Sequence, residues 1–269
     1  MLKYRILTAA LLLPVVFLVV WFLPMPWFAL LVGAVIVWAG WEWSRLVGLV
    51  KNTWRIGYTI LIALALISTY YLPVNWVLFI ALIAWLWAGS AMLSYAVGSH
   101  ALLGLQYPAL KALMGIFALI PCWLAINVLR ETIGGPVWLL FGLILIWMGM
   151  DTGAYVAGRL WGKHPLASRV SPQKTWEGFF GGLILSLIIA ITISLIFYTP
   201  LYRLLMICTL TLITNLFAAL GDLVESMLKR QAGMKDSGVG LPGHGGILDR
   251  MDSIAAGLPI FALGTLLLL

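Results

Sequence analysis

The residues best suited to chemistry lie together, between Ser226 and Asp252. That stretch holds Asp236, Asp249, Asp252, Lys229, Lys235, Arg230, Arg250, His244 and six glycines, in a chain that is 63% hydrophobic and only 9% charged. Charge is costly near lipid, so a charged, glycine-rich island between apolar segments marks a site. Carboxylates suit a hard cation, basic groups suit phosphate, and flexible backbone lets N–H groups converge on an anion. The combination points to metal-assisted phosphate chemistry at a membrane surface.

Spacing sharpens the candidates. Asp249 and Asp252 are three apart and share a face if helical, so they can hold Mg²⁺ together; one of them alone can serve instead as a helix N-cap. Asp222, Ser226 and Lys229 follow at i, i+4 and i+7, again one helix face, with Glu225 adjoining. Asp222 lies nearest the apolar run and reads as a ligand, whereas Glu225 and Arg230 read as an ordinary amphipathic helix end. Asp151 sits inside an apolar segment ahead of Arg159, about 12 Å below its end at the helical rise. It has no basic partner in its own segment, which favours a site role over a structural hydrogen bond. The stretch 159–178 carries Arg159, Lys163, His164, Arg169 and Lys174 with the hydroxyls of Ser171 and Thr175, a set that suits phosphate oxygens. Ser171-Pro172 reads as a rigid turn that brings Lys174 and a hydroxyl together; Arg159 and Lys163 read as topology charges. In the loop 233–246, His244 donates to a phosphate or braces the backbone, and its neighbours Gly245 and Gly246 supply N–H groups.

The elements that must position these residues are membrane spans. Mean hydropathy is +1.08, and apolar segments recur at 6–23, 27–43, 56–72, 76–97, 111–129, 137–158, 179–198, 202–222 and 251–269, each near the length of about 20 residues that crosses a bilayer. The first follows Lys3 and Arg5 as a signal peptide would, but Pro24-Met25-Pro26 stands where a small-residue cleavage site belongs, so it is expected to remain as a span. The expected fold is an all-α polytopic bundle of about nine transmembrane helices, forming one integral domain. With the N-terminus cytoplasmic and the spans alternating, every Lys and Arg falls on the inner side except Arg130 and Arg203, the bias of the positive-inside rule. The net charge of +7 is thus a topology signal and needs no nucleic acid to explain it. Cys122 and Cys208 fall within spans and offer neither a disulfide framework nor metal spacing. Of nine acidic residues only Glu42 and Glu131 precede Asp151. Residues 1–130 therefore read as membrane scaffold, and 137–269 as the catalytic half with cytoplasmic loops 159–178 and 223–250. Gly149/Gly153, Gly158/Gly162 and Gly178/Gly182 have the small-residue spacing that permits close helix packing, and Pro14, Pro121 and Pro259 fall within spans.

Ser226-x-Leu228-Lys229-Arg230, Lys235-Asp236, Leu241-Pro242, His244-Gly245-Gly246 and Asp249-Arg250-x-Asp252 resemble the signature of the phosphatidate cytidylyltransferases, or CDP-diacylglycerol synthases. Asp151-Thr152-Gly153-Ala154-Tyr155 and Ser171-Pro172-x-Lys174-Thr175-x-Glu177-Gly178 resemble further motifs of that family. The likeness covers the C-terminal half well and the N-terminal half mainly in hydropathy. It implies an enzyme of the bacterial inner membrane that needs Mg²⁺ and makes CDP-diacylglycerol and pyrophosphate from CTP and phosphatidic acid, for phospholipid biosynthesis. On that basis Asp249, with Asp222 or Asp252, is expected to hold Mg²⁺ on the triphosphate, Asp151 to join or support them, and a second cation to be compatible with the site. Lys229, Arg230, Lys235 and Arg250 are expected to neutralise phosphates, with Ser226, His244, Gly245 and Gly246 as further substrate contacts. Lys174 and Arg169 are expected to receive the lipid headgroup, with Ser171 as a further substrate contact. A homodimer is left open. A weaker likeness to CTP-dependent polyprenol kinases, and an anion transporter with intramembrane charge, stand as alternatives; the transporter fits poorly with charges gathered at one face.

Overall fold

Proline sets where many of the helices begin. In the computed structural model, which describes residues 14–98, 102–131, 135–238 and 245–268, five helices start at or beside Pro24, Pro73, Pro108, Pro136 and Pro200. Proline costs nothing in the first turn, where its missing N–H has no intrahelical partner. The order is α1 (14–22), α2 (Met25–Val47), α3 (Asn52–Ser68), α4 (Val74–Ala96), α5 (Pro108–Glu131) and α6 (Pro136–Ile144). A π-helical stretch, Leu145–Thr152, leads into α7 (Gly153–Trp161). A hairpin of β1 (Pro165–Ala167) and β2 (Ser171–Thr175) follows, then α8 (Trp176–Ile196), α9 (Leu201–Gln231) and α10 (Leu248–Leu268). Eight helical segments among the described residues are long and apolar enough to cross a membrane, with α6, the π stretch and α7 forming one of them. The protein is therefore a polytopic helical membrane protein. The segment 6–23 lies largely outside the described residues.

α10 is the central post. Its apolar window is 72% buried, against 22% for α3 and for α8, and it packs on α9, α5 and α4. An all-round apolar helix that meets helices on every side must let their backbones approach, and small residues do this. A Cβ on Gly257 would lie 3.1 Å from the Ala218 Cβ, and one on Gly142 would lie 2.9 Å from Leu258 and Phe261. Both α5 and α10 continue through their internal prolines, Pro121 and Pro259.

Three expectations need correction. The span at 137–158 is not one regular helix. It widens into π geometry around Asp151, where the Thr152 hydroxyl donates to the Trp147 carbonyl at 3.0 Å. The cause is its packing on α8: a Cβ on Gly153 would stand 2.9 Å from the Gly182 Cα, and one on Gly149 would stand 2.8 Å from the Ser186 Cα. The segment 223–250 is not all loop. α9 runs on to Gln231 because Leu223, Val224, Met227 and Leu228 keep one face buried while the polar residues share the other, and α10 starts at Leu248. Ser171-Pro172 is not a turn either. It lies in β2, which pairs antiparallel with β1 as Pro165↔Thr175 and Ala167↔Ser171; a two-stranded ribbon leaves an outer edge where proline is tolerated. The Thr175 hydroxyl then caps α8 by accepting the Gly178 N–H at 3.2 Å.

The close approach of the π stretch to α8 gives a direct test. Gly153→Leu places a side chain into the α8 backbone, an overpacking that costs about 1–3 kcal/mol or more, and should lower the thermal unfolding midpoint of the detergent-extracted protein. Gly57→Ala, where a Cβ meets nothing within 4 Å, should leave it unchanged or slightly raised; equal midpoints for the two variants would refute the packing account.

Candidate active site

The site is built where α9 meets α10. Gly221 lets the two helices close: a Cβ there would lie 2.6 Å from the Ala256 Cβ and press on the Asp252 backbone. Their polar residues consequently face one another. Asp252 comes within hydrogen-bonding reach of both Asp222 and Glu225. Ser253, 4% exposed, links this pair of helices to the π stretch through its hydroxyl, 3.4 Å from both Asp151 Oδ1 and Asp252 Oδ1. Asp151, on the π stretch, has Asp222, Asp252 and Lys174 all close enough to act on it.

Two lysines enter this acidic group from different elements. Lys174, on β2, pairs with Asp222. Lys229, two turns along α9 from Asp222, lies 2.8 Å from Asp249 Oδ1 and 3.4 Å from Glu225 Oε2. Asp249 also gathers the base of the glycine loop. It accepts the Ser237 N–H at 3.0 and 3.1 Å on its two oxygens and the Gly246 N–H at 2.7 Å. Gly245 turns the chain with φ +83°, a conformation L side chains rarely adopt, and a Cβ there would stand 2.7 Å from Asp249 Oδ2.

Asp151, Asp222, Glu225, Asp249 and Asp252 thus set five carboxylates against Lys174 and Lys229. Acidic groups this close need a cation or a proton between them. Among the described residues no three His, Cys, Asp or Glu side chains converge on one point. A cation completed by phosphate oxygens and water needs fewer protein ligands, the usual manner of Mg²⁺. The all-oxygen donor set and the surplus of negative charge fit such an ion.

The other basic candidates stand around this centre. Arg230 donates to the Val170 carbonyl at 3.3 Å and so ties the end of α9 to the hairpin turn. Arg169, at that turn, lays its guanidinium against Gly98 beyond α4. Ser171 is half-buried in β2 and Ser226 half-buried on α9, while Lys235 and Arg250 reach the surface. His164 Nδ1 lies 2.6 Å from Glu177 Oε1 at the mouth of α8. His244 lies outside the described residues.

Sequence spacing undervalued Glu225, which is not a solvated helix end but is 2% exposed within the acidic group; its i, i+4 relation to Lys229 was the available signal. Ser253 carried no signal of its own. Glu42, assigned to scaffold, is 3% exposed and reaches the glycine loop. Its Oε2 accepts the Ser237 hydroxyl at 3.2 Å and the Leu248 N–H at 2.8 Å. A cavity of about 530 Å³ lined by Trp138, Phe141, Phe197 and Arg203 opens at the opposite end of the bundle, away from every carboxylate of the site.

The chain is similar to known proteins along nearly its whole length. The chain is 39% identical over 266 residues to a phosphatidate cytidylyltransferase of Pseudomonas aeruginosa, covering 97% of this chain and 96% of that protein. It is 33% identical to one of Haemophilus influenzae, covering 97% and 98%. A Staphylococcus saprophyticus protein of the same name is 51% identical over 126 residues, 47% of this chain and 48% of that one. The model of the cytidylyltransferase family matches residues 3–268, nearly the whole chain, and this protein, a nucleotidyl-transferring membrane enzyme, belongs to that family.

Proposed function

We propose that this enzyme transfers the cytidylyl group of CTP to phosphatidic acid, giving CDP-diacylglycerol and pyrophosphate, at the cytoplasmic face of a bacterial inner membrane. The observation that carries this reading is the gathering of five carboxylates and two lysines at one end of a bundle of membrane-spanning helices. The full-length relatives bearing the phosphatidate cytidylyltransferase name support it, and the excess of Lys and Arg at that end supports the orientation.

The reaction joins a phosphatidate oxygen to the α-phosphorus of CTP while the bond from that phosphorus to the bridging oxygen of the β-phosphate breaks. The lipid phosphate is already an anion near neutral pH, so no strong general base is required. The task is to bring two polyanions into line and to stabilise the departing pyrophosphate, which positioned cations and dipoles accomplish. Asp249, with Asp222 or Asp252, would hold Mg²⁺, with Asp151 and Glu225 beside them. A bound divalent ion would neutralise phosphate charge and orient the triphosphate, and a second cation is compatible with the acidic surplus. Lys229 and the loop N–H groups would face the triphosphate, with Lys235 and Arg250 adding positive charge. Lys174, Arg169 and Ser171, all on the hairpin side, would receive the lipid phosphate, and Arg230 would hold that hairpin in place.

In mixed micelles with CTP labelled separately at the α- and γ-phosphates, the α-label should enter phosphatidate-derived lipid and the γ-label should leave as pyrophosphate. Transfer of the γ-label to lipid, or of neither label by folded protein, would contradict the reading. Chelation of divalent cations should abolish transfer and added Mg²⁺ should restore it; turnover unaffected by chelator would remove the metal. Asp222→Asn should lower kcat by about a hundredfold or more, the scale for losing an electrostatic group that acts on the transition state, in protein that still extracts as a folded species although the loss of the Lys174 pair lowers its thermal midpoint. A variant with full kcat would remove Asp222 from the centre.

A further inference from the structure

Glu42 has no place in the chemistry above, yet it is among the most completely enclosed charged side chains of the protein. It stands in the last turns of α2, 3% exposed, in the half of the chain that otherwise reads as scaffold. Its carboxylate meets both ends of the glycine loop at once. On one side the Ser237 hydroxyl donates to Oε2 at 3.2 Å; on the other the Leu248 N–H donates to the same oxygen at 2.8 Å. That N–H opens α10, where the first amides have no intrahelical acceptor and a negative charge is favoured. Arg45, one turn further along α2, donates to the Ser237 carbonyl at 3.1 Å.

Ser237 is therefore held at three points: its N–H by Asp249, its hydroxyl by Glu42 and its carbonyl by Arg45. The glycines beside it are shaped to Glu42. A Cβ on Gly238 would lie 2.6 Å from the Glu42 carboxyl carbon, and one on Gly246 would lie 2.8 Å from it. A buried carboxylate that satisfies both ends of a loop, with glycines on either side leaving room for it, is more than a packing contact.

We infer that Glu42 is a positioning residue for the reaction: from α2 it clamps Ser237 to the first turn of α10, and so fixes where Asp249 and Lys229 stand for the triphosphate. The kinetic part rests on the cytidylyl-transfer reading, whereas the clamp itself rests only on the geometry. Glu42→Ala removes the acceptor shared by Ser237 and Leu248. Glu42→Gln keeps an acceptor oxygen of the same reach. Glu131→Ala, at the far end of α5, serves as a control.

The test is hydrogen–deuterium exchange of the full chain in lipid nanodiscs, combined with KM and kcat for each substrate. In Glu42→Ala, amides of 233–250 should exchange about tenfold faster, as expected when a local opening becomes easier, with the other helices unchanged. The KM for CTP should rise about tenfold, in keeping with the sensitivity of positioned groups to small displacements, while the KM for phosphatidate stays within about twofold. Glu42→Gln should restore most of both. Unchanged exchange in Glu42→Ala would overturn the clamp. Faster exchange in every helix, or faster loop exchange with unaltered kinetics, would overturn the positioning role. A wild-type protein that transfers no cytidylyl group would defeat the functional reading alone, and the exchange data would still decide the clamp.

Discussion

Lys174 against Asp222 and Lys229 against Asp249 are the two ion pairs on which the arrangement of this protein depends. They allow four carboxylates to stand where α9 meets α10, with Asp151 of the π stretch beside them, in a bundle of apolar membrane-spanning helices. The Lys229–Asp249 pair is largely enclosed, and removing one partner of a buried pair leaves an uncompensated charge that costs about 3–5 kcal/mol, so it fixes how the ends of its two helices meet. The same pairs leave negative charge in surplus. That surplus is what a divalent cation and a polyphosphate, arriving together, would answer.

Each pair makes a demand on packing. For Asp222 to meet Asp252, α9 and α10 must nearly touch, and Gly221 provides the room. For Lys174 to reach Asp222, the hairpin must fold back over the end of α9, and Arg230 holds its turn through the Val170 carbonyl. For Asp151 to join them, the crossing before α7 must open into π geometry against the small face of α8. Such local widening of a helix is often found at functional sites. The N-terminal half then reaches in through Glu42 and Arg45 to the loop that Asp249 gathers. The site is assembled from α2, the π stretch, α8, α9, α10 and the hairpin, although its carboxylates come mainly from α9 and α10.

Much of this was legible in the sequence because lipid is a demanding solvent. Hydropathy located the spans, and the scarcity of acidic residues in an apolar chain singled out Asp151, Asp222, Asp249 and Asp252. The small-residue spacing of Gly149/Gly153 and Gly178/Gly182 anticipated the close contact now seen between those segments. What escaped depends on tertiary contact. Glu225 resembled a solvated helix end because Asp252, which meets its carboxyl group, lies on another helix. Glu42 resembled scaffold because Ser237 and Leu248 are about two hundred residues away in sequence. The π stretch and the hairpin arise from packing on α8 and from pairing between strands too short to show a period.

The most direct test of the account is pulsed electron paramagnetic resonance of Mn²⁺ bound to the full chain with CTP, in wild type and in Asp252→Asn. The account predicts one tightly held Mn²⁺, displaced by Mg²⁺, coupled to the phosphorus nuclei of the nucleotide, and lost or strongly weakened in the variant. The same Mn²⁺ occupancy and phosphorus coupling in the Asp252→Asn protein would mean that the carboxylates where α9 and α10 meet do not form the cation site.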